Sequence, residues 1–455
     1  MGKATYQFNS HVMSLLDSDV SQLGGNRFYV ALSKSDAWIG GVVPTVDNSL
    51  FSQREFRNKM QAVKRVSAAS FVIPRVNWTL STAYNAYDDR NESQINFYVV
   101  NSLFEVFICI EAPIDTSGSI TLSTIEPTKA LSVAAHPNNP AKSFKTSDGY
   151  IWRYMYKMSA YARATFLSAE WMPVKEIGSS PSILEEVEQL ALQDSAVSGE
   201  IINLQVVSGG SGYGSAPTVN VSPSTSTASF TSAIYNNAVY KINLDTDGSG
   251  FISHGSSADN SIATVTGNAI IKTVQGPHDG LNKNPVESLK AKSLAVRAVI
   301  DGDEESEGVP QIRIGNDYKQ YGLLLNPLQY GSSNPFTSNA GNALKSLVVN
   351  DTSNLVLDDI ITQSGGSVSG VAVDKDATNI WYFQSDSGGY EPFAAGTISY
   401  QTAPDRTVTS TNNPTIDINS GKLLYIGHSD VVTGVTRNNT QSDEIRLIIN
   451  LEDCE

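Results

Sequence analysis

Cysteine is nearly absent from this 455-residue sequence. Cys109 lies inside an apolar run and Cys454 beside the end of the chain, so there is neither a disulfide framework nor a CxxC pair for a metal. The expected compartment is a reducing one, or one on which the fold does not depend. Histidine is also sparse: His11, His136, His254, His278 and His428 are scattered without HExxH-type spacing, and no metal site or cofactor is expected. Positive charge is short, 31 Lys and Arg against 46 Asp and Glu, and a net charge of −15 repels a phosphate backbone over most of a surface. Nucleic acid is therefore not an expected partner. No apolar stretch approaches a membrane span, so no membrane partner is expected. The start "MGKATYQFNSHVMSLL" lacks the apolar core of a signal peptide, and Tyr6 stands where a myristoylation signal takes Ser or Thr. A soluble protein made in a cytoplasm is the expectation.

What is plentiful points to β structure. Charged residues make up only 17% of the chain, while Ser, Thr, Asn and Gly abound, the balance of turn-rich β proteins with neutral polar surfaces. The length calls for two to four domains, since single cores stop growing at roughly 250–300 residues. Two segments have helical spacing. In "NSHVMSLLDSDVSQLGG", Val12, Leu15, Leu16, Val20 and Leu23 form a stripe, with Asn9 or Ser10 as cap and Gly24 as stop. In Ser182–Ala196, Ile183, Val187, Leu190 and Leu192 form a rougher one. The runs "RFYVAL", "AASFVIP", "INFYVV", "LFEVFICIEAP" and "YIWRYMYKM" predict antiparallel strands in a sandwich or barrel. From Val197 to about Gly280, and again from about Ser338 to Asn413, the chain becomes Gly/Ser/Thr/Asn-rich. These tracts predict small β modules, the second a compact meander or SH3-like barrel, folding beside the core without adding much to its stability. The last run puts Ile445, Leu447 and Ile449 on one face of a strand, with Arg446 and Asn450 alternating.

Several motifs suggest chemistry and give way to plainer readings. The glycines of "VVSGGSGYGSAP" follow a strand, but Pro217 and "TVNVS" continue as strand where a dinucleotide loop needs a helix N-terminus, so a turn is expected. Asp245–Phe251 begins like a calcium loop, yet Gly248 comes too early and Ser256 stands where a bidentate Glu belongs. The acidic Asp301–Gly308 has glycine at its end and no apolar flank, which suits a solvated hairpin tip. No GxSxG elbow, P-loop or Cys/His framework is present, so no catalytic, cofactor-binding or metal residue is assigned.

Five ordered segments carry a resemblance: a helix followed by "FYVALSKSDAW", then "VIPRVNW" at Val72–Trp78, "SDGYIWRYMYKM" at Ser147–Met158, "YKQYGLLLNPL" at Tyr318–Leu328, and "GKLLYIGHSDVVTGVTRNNTQSDEIRLIINLED". Together they resemble the dimeric baseplate wedge subunit of T-even-type contractile-tailed phages, the gene-eight product family. The likeness covers roughly 20–175, 290–335 and 418–453; the two Gly/Ser/Thr-rich tracts are extra. It implies a mainly β protein of multidomain antiparallel β-sandwiches, one inserted into another. In this frame residues 1–85 begin a first β-sandwich domain, 86–196 form a second β domain, and 197–284 an inserted β module. Residues 285–337 return to the core domains, 338–413 are a barrel-like insertion, and 414–455 complete the first domain.

The implied function is structural and non-enzymatic: a homodimer in a virion tail baseplate, assembled in the host bacterial cytoplasm. Its implied partners are other wedge subunits, including the elongated wedge scaffold and the fibre-network proteins. In this frame "SKSDAWIGG" is a loop with Trp38 covering a domain edge, and Arg75 stacks or pairs beside Trp78. The alternative is a virion tail protein that binds or hydrolyses host glycans. Binding would call for an aromatic cluster on the inserted modules, for which Tyr213, Trp381 and Tyr382 are the candidates, and hydrolysis for two facing carboxylates.

Overall fold

The computed structural model describes residues 5–21, 25–33, 42–221, 228–246, 248–251, 263–306, 309–313, 318–366, 368–384, 391–400, 404–429, 438 and 440–450. The chain is mainly β, with antiparallel sheets, a small closed six-stranded barrel and, among the described residues, six helices. It divides into two compact units that cross the linear order: residues 1–13, 70–293 and 450–455 form one, residues 14–69 and 294–449 the other.

The unit of residues 14–69 and 294–449 is organised by a five-stranded sheet. Its order is Ala340–Asn342, Met60–Arg65, Phe28–Ser33, Gln320–Leu325, Lys422–His428. "FYVALS" is buried at every position, which is why it reads as a continuous apolar run and not as an alternation. It pairs antiparallel with Gln320–Leu325, Val30 opposite Leu323 and Phe28 opposite Leu325. Tyr29, Ala31, Phe56, Val63, Leu324 and Phe336 fill the core on one side. The Tyr29 hydroxyl donates toward the Phe336 and Ser338 carbonyls, at 3.1 and 3.0 Å, and the Phe336 ring lies over Gly341. A Cβ at 341 would stand 2.5 Å from Phe336 Cζ, so only glycine fits beneath the ring. From the helix Leu50–Asn58, Arg57 donates to the carbonyls of Ile418, Ser420 and Gly421 at 2.7, 2.8 and 3.0 Å. It thereby holds the turn that launches Lys422–His428.

The same unit holds the closed barrel, ordered Lys345–Val349, Asn379–Phe383, Ser369–Lys375, Ile360–Gln363, Gly396–Tyr400, Arg406–Asn412. Alternating positions such as Leu347, Ile361, Ala372, Ile380, Ile398 and Val408 point inward to one cluster. The last strand, Ser442–Asn450, lies beside Ser293–Asp301, where Arg297 pairs with Glu444 at 2.9 Å. Leu447 and Ile449 are buried there and Ile445 is half-buried.

In the other unit, Tyr98–Val100, Glu105–Glu111, Ile151–Lys157 and Phe144–Lys145 form a four-stranded sheet over an aromatic core. Trp152 stacks on Tyr150 at 5.4 Å and meets Tyr84 edge-on at 5.7 Å. The Asp-Gly-Tyr of "SDGYIWRYMYKM" is the hub of its turn. Asp148 accepts from Ser123 Oγ, Thr146 Oγ1 and the N–H groups of Thr124 and Ile125, while Gly149 supplies a φ of +94. Burial pushes the Asp148 carboxyl up, but these hydrogen bonds outweigh it and hold it below the ordinary carboxylate range. Residues 197–284 build a cluster of their own around Ile201, Leu204, Phe230, Ile242 and Ile271. The hairpin Ser229–Tyr235 to Ala238–Thr246 turns on Asn236 and Asn237, both at positive φ, as a type I′ turn requires. These residues nevertheless belong to the same compact unit as 86–196.

Three local expectations need correction. The first helix runs Tyr6–Ser21, and the Phe8 N–H donates to Thr5 Oγ1 at 3.3 Å, so the capping side chain precedes both Asn9 and Ser10. Phe8, Val12 and Leu15, spaced i, i+4, i+7, face outward while Met13 is buried. In the helix Leu184–Asp194 the buried face is Gln189, Leu192 and Gln193, and Ile183, Leu184 and Val187 are exposed. Gln193 explains this: its amide exchanges two hydrogen bonds of 2.9 Å with the Ile177 backbone, as a neighbouring strand residue would. Arg75 does not stack on Trp78. It bonds Asn77 Oδ1 and the Ser168 carbonyl, while the Trp78 indole donates to Ser123 Oγ. Gly24, Leu23 and Trp38 lie outside the described residues.

Arg57→Ala is expected to destabilise this unit by about 1–3 kcal/mol, because it strips a charged donor from three carbonyls. Arg57→Lys should recover only part of that, lacking the planar fork. Urea unfolding monitored at Lys422–His428 measures both, and an unchanged midpoint in Arg57→Ala would contradict the role assigned to the guanidinium.

Candidate functional site

Within the unit of residues 70–293, the loop before Tyr98–Val100 faces the 197–284 module across a cleft of about 500 Å³. One wall is formed by Asn85, Asp88 and Asn91 of that loop, with Glu111 at the end of the Glu105–Glu111 strand and Ile114 and Ile120 beyond it. The opposite wall comes from Gln205 and Val206 on Ile201–Ser208, and Tyr240 and Lys241 on Ala238–Thr246.

Ion pairs tie the walls together. Lys241 Nζ stands 2.7 Å from Glu111 Oε1, and the Leu244 N–H lies 3.5 Å from Glu111 Oε2. Lys272 grips both oxygens of Asp88 at 2.9 and 2.8 Å. Lys290 donates to the Asp88 and Asn91 carbonyls, 2.6 Å each, with its ammonium over the rings of Tyr87 and Phe97. Asn203 adds a 3.0 Å bond to the Ile110 carbonyl. Elsewhere in this unit, Arg153 and Glu200 make a buried two-pronged pair, Nη1 to Oε2 at 2.6 Å, with Ser143 Oγ accepting from the same guanidinium. Lys241, Lys272 and Asn203 lie on strands of the module and Glu200 just before its first strand, while Lys290 lies beyond it.

The clamps set the local titration. Burial pushes Asp88 up, but the Lys272 hydrogen bond, the Arg90 N–H and the charges of Lys272 and Lys290 prevail and hold it low. Its neighbour Asp89 goes the other way: burial raises it and the Asp88 charge adds to this, against the Gln275 N–H. Burial lowers Lys290, opposed by Glu92, Asp88 and Asp89. Of the two carboxylates lining the cleft, Asp88 is thus held ionised and Glu111 is engaged by Lys241.

The residues singled out in the sequence fall elsewhere. Tyr213 is buried in the module core, its hydroxyl accepting from the Ala269 N–H at 2.7 Å. Trp381 lies beneath Arg313, whose guanidinium is 3.5 Å from the ring centroid and also pairs with Asp374. Tyr382 is inside the barrel against Phe393. The three aromatics therefore form no accessible cluster. His136 bonds the Ser143 carbonyl, His278 sits exposed beside Asp279, and His428 reaches Gln320 and the Pro44 carbonyl. Among the described residues no group of three or more His, Cys, Asp or Glu is placed to hold a metal ion, and none of the helices is long and apolar enough to cross a membrane. In the Asp301–Gly308 stretch Glu304 pairs with Lys64, and Glu305–Ser306 pairs antiparallel with Val309–Pro310; residues 307 and 308 lie outside the described residues. Cys109 is buried, and burial together with Glu111 and Asp148 pushes its thiol well up, so it is no nucleophile. Sequence reasoning missed the cleft because Asn85, Asn91 and Gln205 look like ordinary turn and strand-edge residues until two distant segments face each other. No protein-family model matches this sequence, and no curated protein matches it.

Adjacent Asp88 and Asp89 should respond oppositely to amidation. Asp88→Asn is expected to cost about 1–3 kcal/mol near neutral pH. The deficit shrinks in acid, because a lowered carboxylate contributes stability above its unfolded pKa that is lost as pH falls through the folded value. Asp89→Asn should raise the melting temperature near neutral pH and converge with the parent in acid, since a raised carboxylate favours folding only while protonated. Melting across pH checks both; a destabilised Asp89→Asn at neutral pH would contradict the assignment.

Proposed function

We propose that the protein is a structural subunit of a bacteriophage contractile-tail baseplate wedge, acting by assembly and rearrangement and not by catalysis. It would act in the virion tail after assembly in the host cytoplasm. The observation that carries this reading is the ordered set of five segments resembling the gene-eight product family. Three of them are adjacent strands of a single sheet, Phe28–Ser33, Gln320–Leu325 and Lys422–His428, so the likeness falls on the framework of a unit and not on scattered loops.

Surface chemistry agrees with an assembly role. Phe8, Val12 and Leu15 on one helix, and Ile183, Leu184 and Val187 at the start of another, expose apolar side chains in rows of the kind that subunit interfaces cover. The net charge of −15 keeps free subunits apart until complementary partners meet them. Those partners are a second copy of this chain, the elongated wedge scaffold and the fibre-network proteins. Rigid β units joined by exchangeable interfaces suit a machine that rearranges once.

Light scattering on the purified chain at micromolar concentration should give twice the chain mass of 48.9 kDa. A strict monomer across the whole concentration range would count against the proposal.

A further inference from the structure

We propose that the cleft between the 85–94 loop and the 197–284 module binds a short neutral saccharide. This inference does not rest on the assembly reading. The cleft volume of about 500 Å³ lies within the range of small-molecule sites, roughly 300–1,000 Å³. Its charges are already matched in pairs, Glu111 with Lys241 and Asp88 with Lys272, so a charged ligand would have to compete with an ion pair formed across the walls. What the lining offers beyond those pairs is neutral hydrogen bonding and hydrocarbon.

Asn85 and Gln205 bring amides from opposite walls, each carrying both donors and an acceptor, the combination that satisfies a hydroxyl in both directions. Tyr240 brings a half-buried ring and a phenol, and Ile114 and Ile120 bring aliphatic surface to the same lining. A pyranose has this dual character: C–H faces that pack on aromatic and aliphatic side chains, and an equator of hydroxyls that pair with amides. The Lys241 ammonium has three donors and is held 2.7 Å from Glu111 Oε1 as an ion pair, leaving donors for a ring or hydroxyl oxygen. The cross-wall clamps hold these groups in place before a ligand arrives, which lowers the ordering cost of binding. Because Asp88 and Glu111 are both engaged by lysines, the site binds a sugar without cleaving it.

The test uses the full chain with maltose, lactose and N,N′-diacetylchitobiose as probes, followed by saturation-transfer NMR and titration. At least one should bind with a millimolar or tighter Kd, and Tyr240→Ala and Gln205→Ala should each weaken it about tenfold or more. Tyr235→Ala, an exposed residue at the tip of the same hairpin, should leave binding unchanged. Melting curves establish that each variant is folded; if Tyr240→Ala is not, Gln205→Ala decides. No binding by any of the three sugars, or binding that survives both substitutions, overturns the proposal.

Discussion

The pairing of Phe28–Ser33 with Gln320–Leu325 is the constraint on which the rest of its unit depends. At its end the Arg27 N–H donates to Asn326 Oδ1 at 2.7 Å across a sequence separation of 299 residues. Closing so long a loop costs chain entropy, but that cost grows only with the logarithm of loop length, so a whole second unit fits between the two strands. What offsets it is burial. Every side chain of the central strand is removed from water, and its partner brings Leu324 to the core of Tyr29 and Ala31 while Leu323 is buried on the opposite face. Once this pair forms, Met60–Arg65 and Lys422–His428 have edges to join, and Arg57 can hold the 418–421 turn. Contacts this distant in sequence also imply slow folding.

Charge is scarce in this chain, and much of it ties distant segments together. Arg57, Lys64, Arg153, Lys241, Lys272 and Arg313 each join segments far apart in sequence, at least four of them through carboxylates with little exposure. Pairs of this kind contribute modestly to net stability because desolvation offsets attraction, yet losing one partner is costly. Their effect is to specify which surfaces meet. In the unit of residues 70–293 that specificity produces the cleft: the same lysines that dock the module neutralise the carboxylates and leave amides and a tyrosine as the groups free to meet a ligand.

How much of this was legible in the sequence depends on the length scale of the signal. The strands within "FYVALS", "IWRYMYK" and "DEIRLIIN" show in their apolar runs, and the barrel shows in the Gly/Ser/Thr/Asn-rich tract from about Ser338 to Asn413. Helix faces were less legible. The Leu184–Asp194 helix docks through Gln189 and Gln193, and a glutamine that imitates a strand backbone carries no hydrophobic signal. Asp148-Gly149-Tyr150 stood out as a motif, but its role as an acceptor hub needs Ser123 and Thr124 beside it, which only folding supplies. The cleft was the least legible feature, since its walls come from segments far apart in sequence and its clamps are long-range pairs such as Glu111 with Lys241.

The pairing at the centre of this account can be tested by its register. Val30 and Leu323 are directly opposed, and opposed residues of antiparallel strands lie about 4.5–5.5 Å apart at Cα, within reach of a disulfide. Val30 and Leu324 are one residue out of register, with side chains on opposite faces of the sheet. Mild oxidation of the doubly substituted chain Val30→Cys/Leu323→Cys, read by mass spectrometry of its peptides, should join the two strands. Val30→Cys/Leu324→Cys should not. Equal cross-linking in both, or none in the first while the chain remains folded, would contradict the pairing and the discontinuous unit built on it.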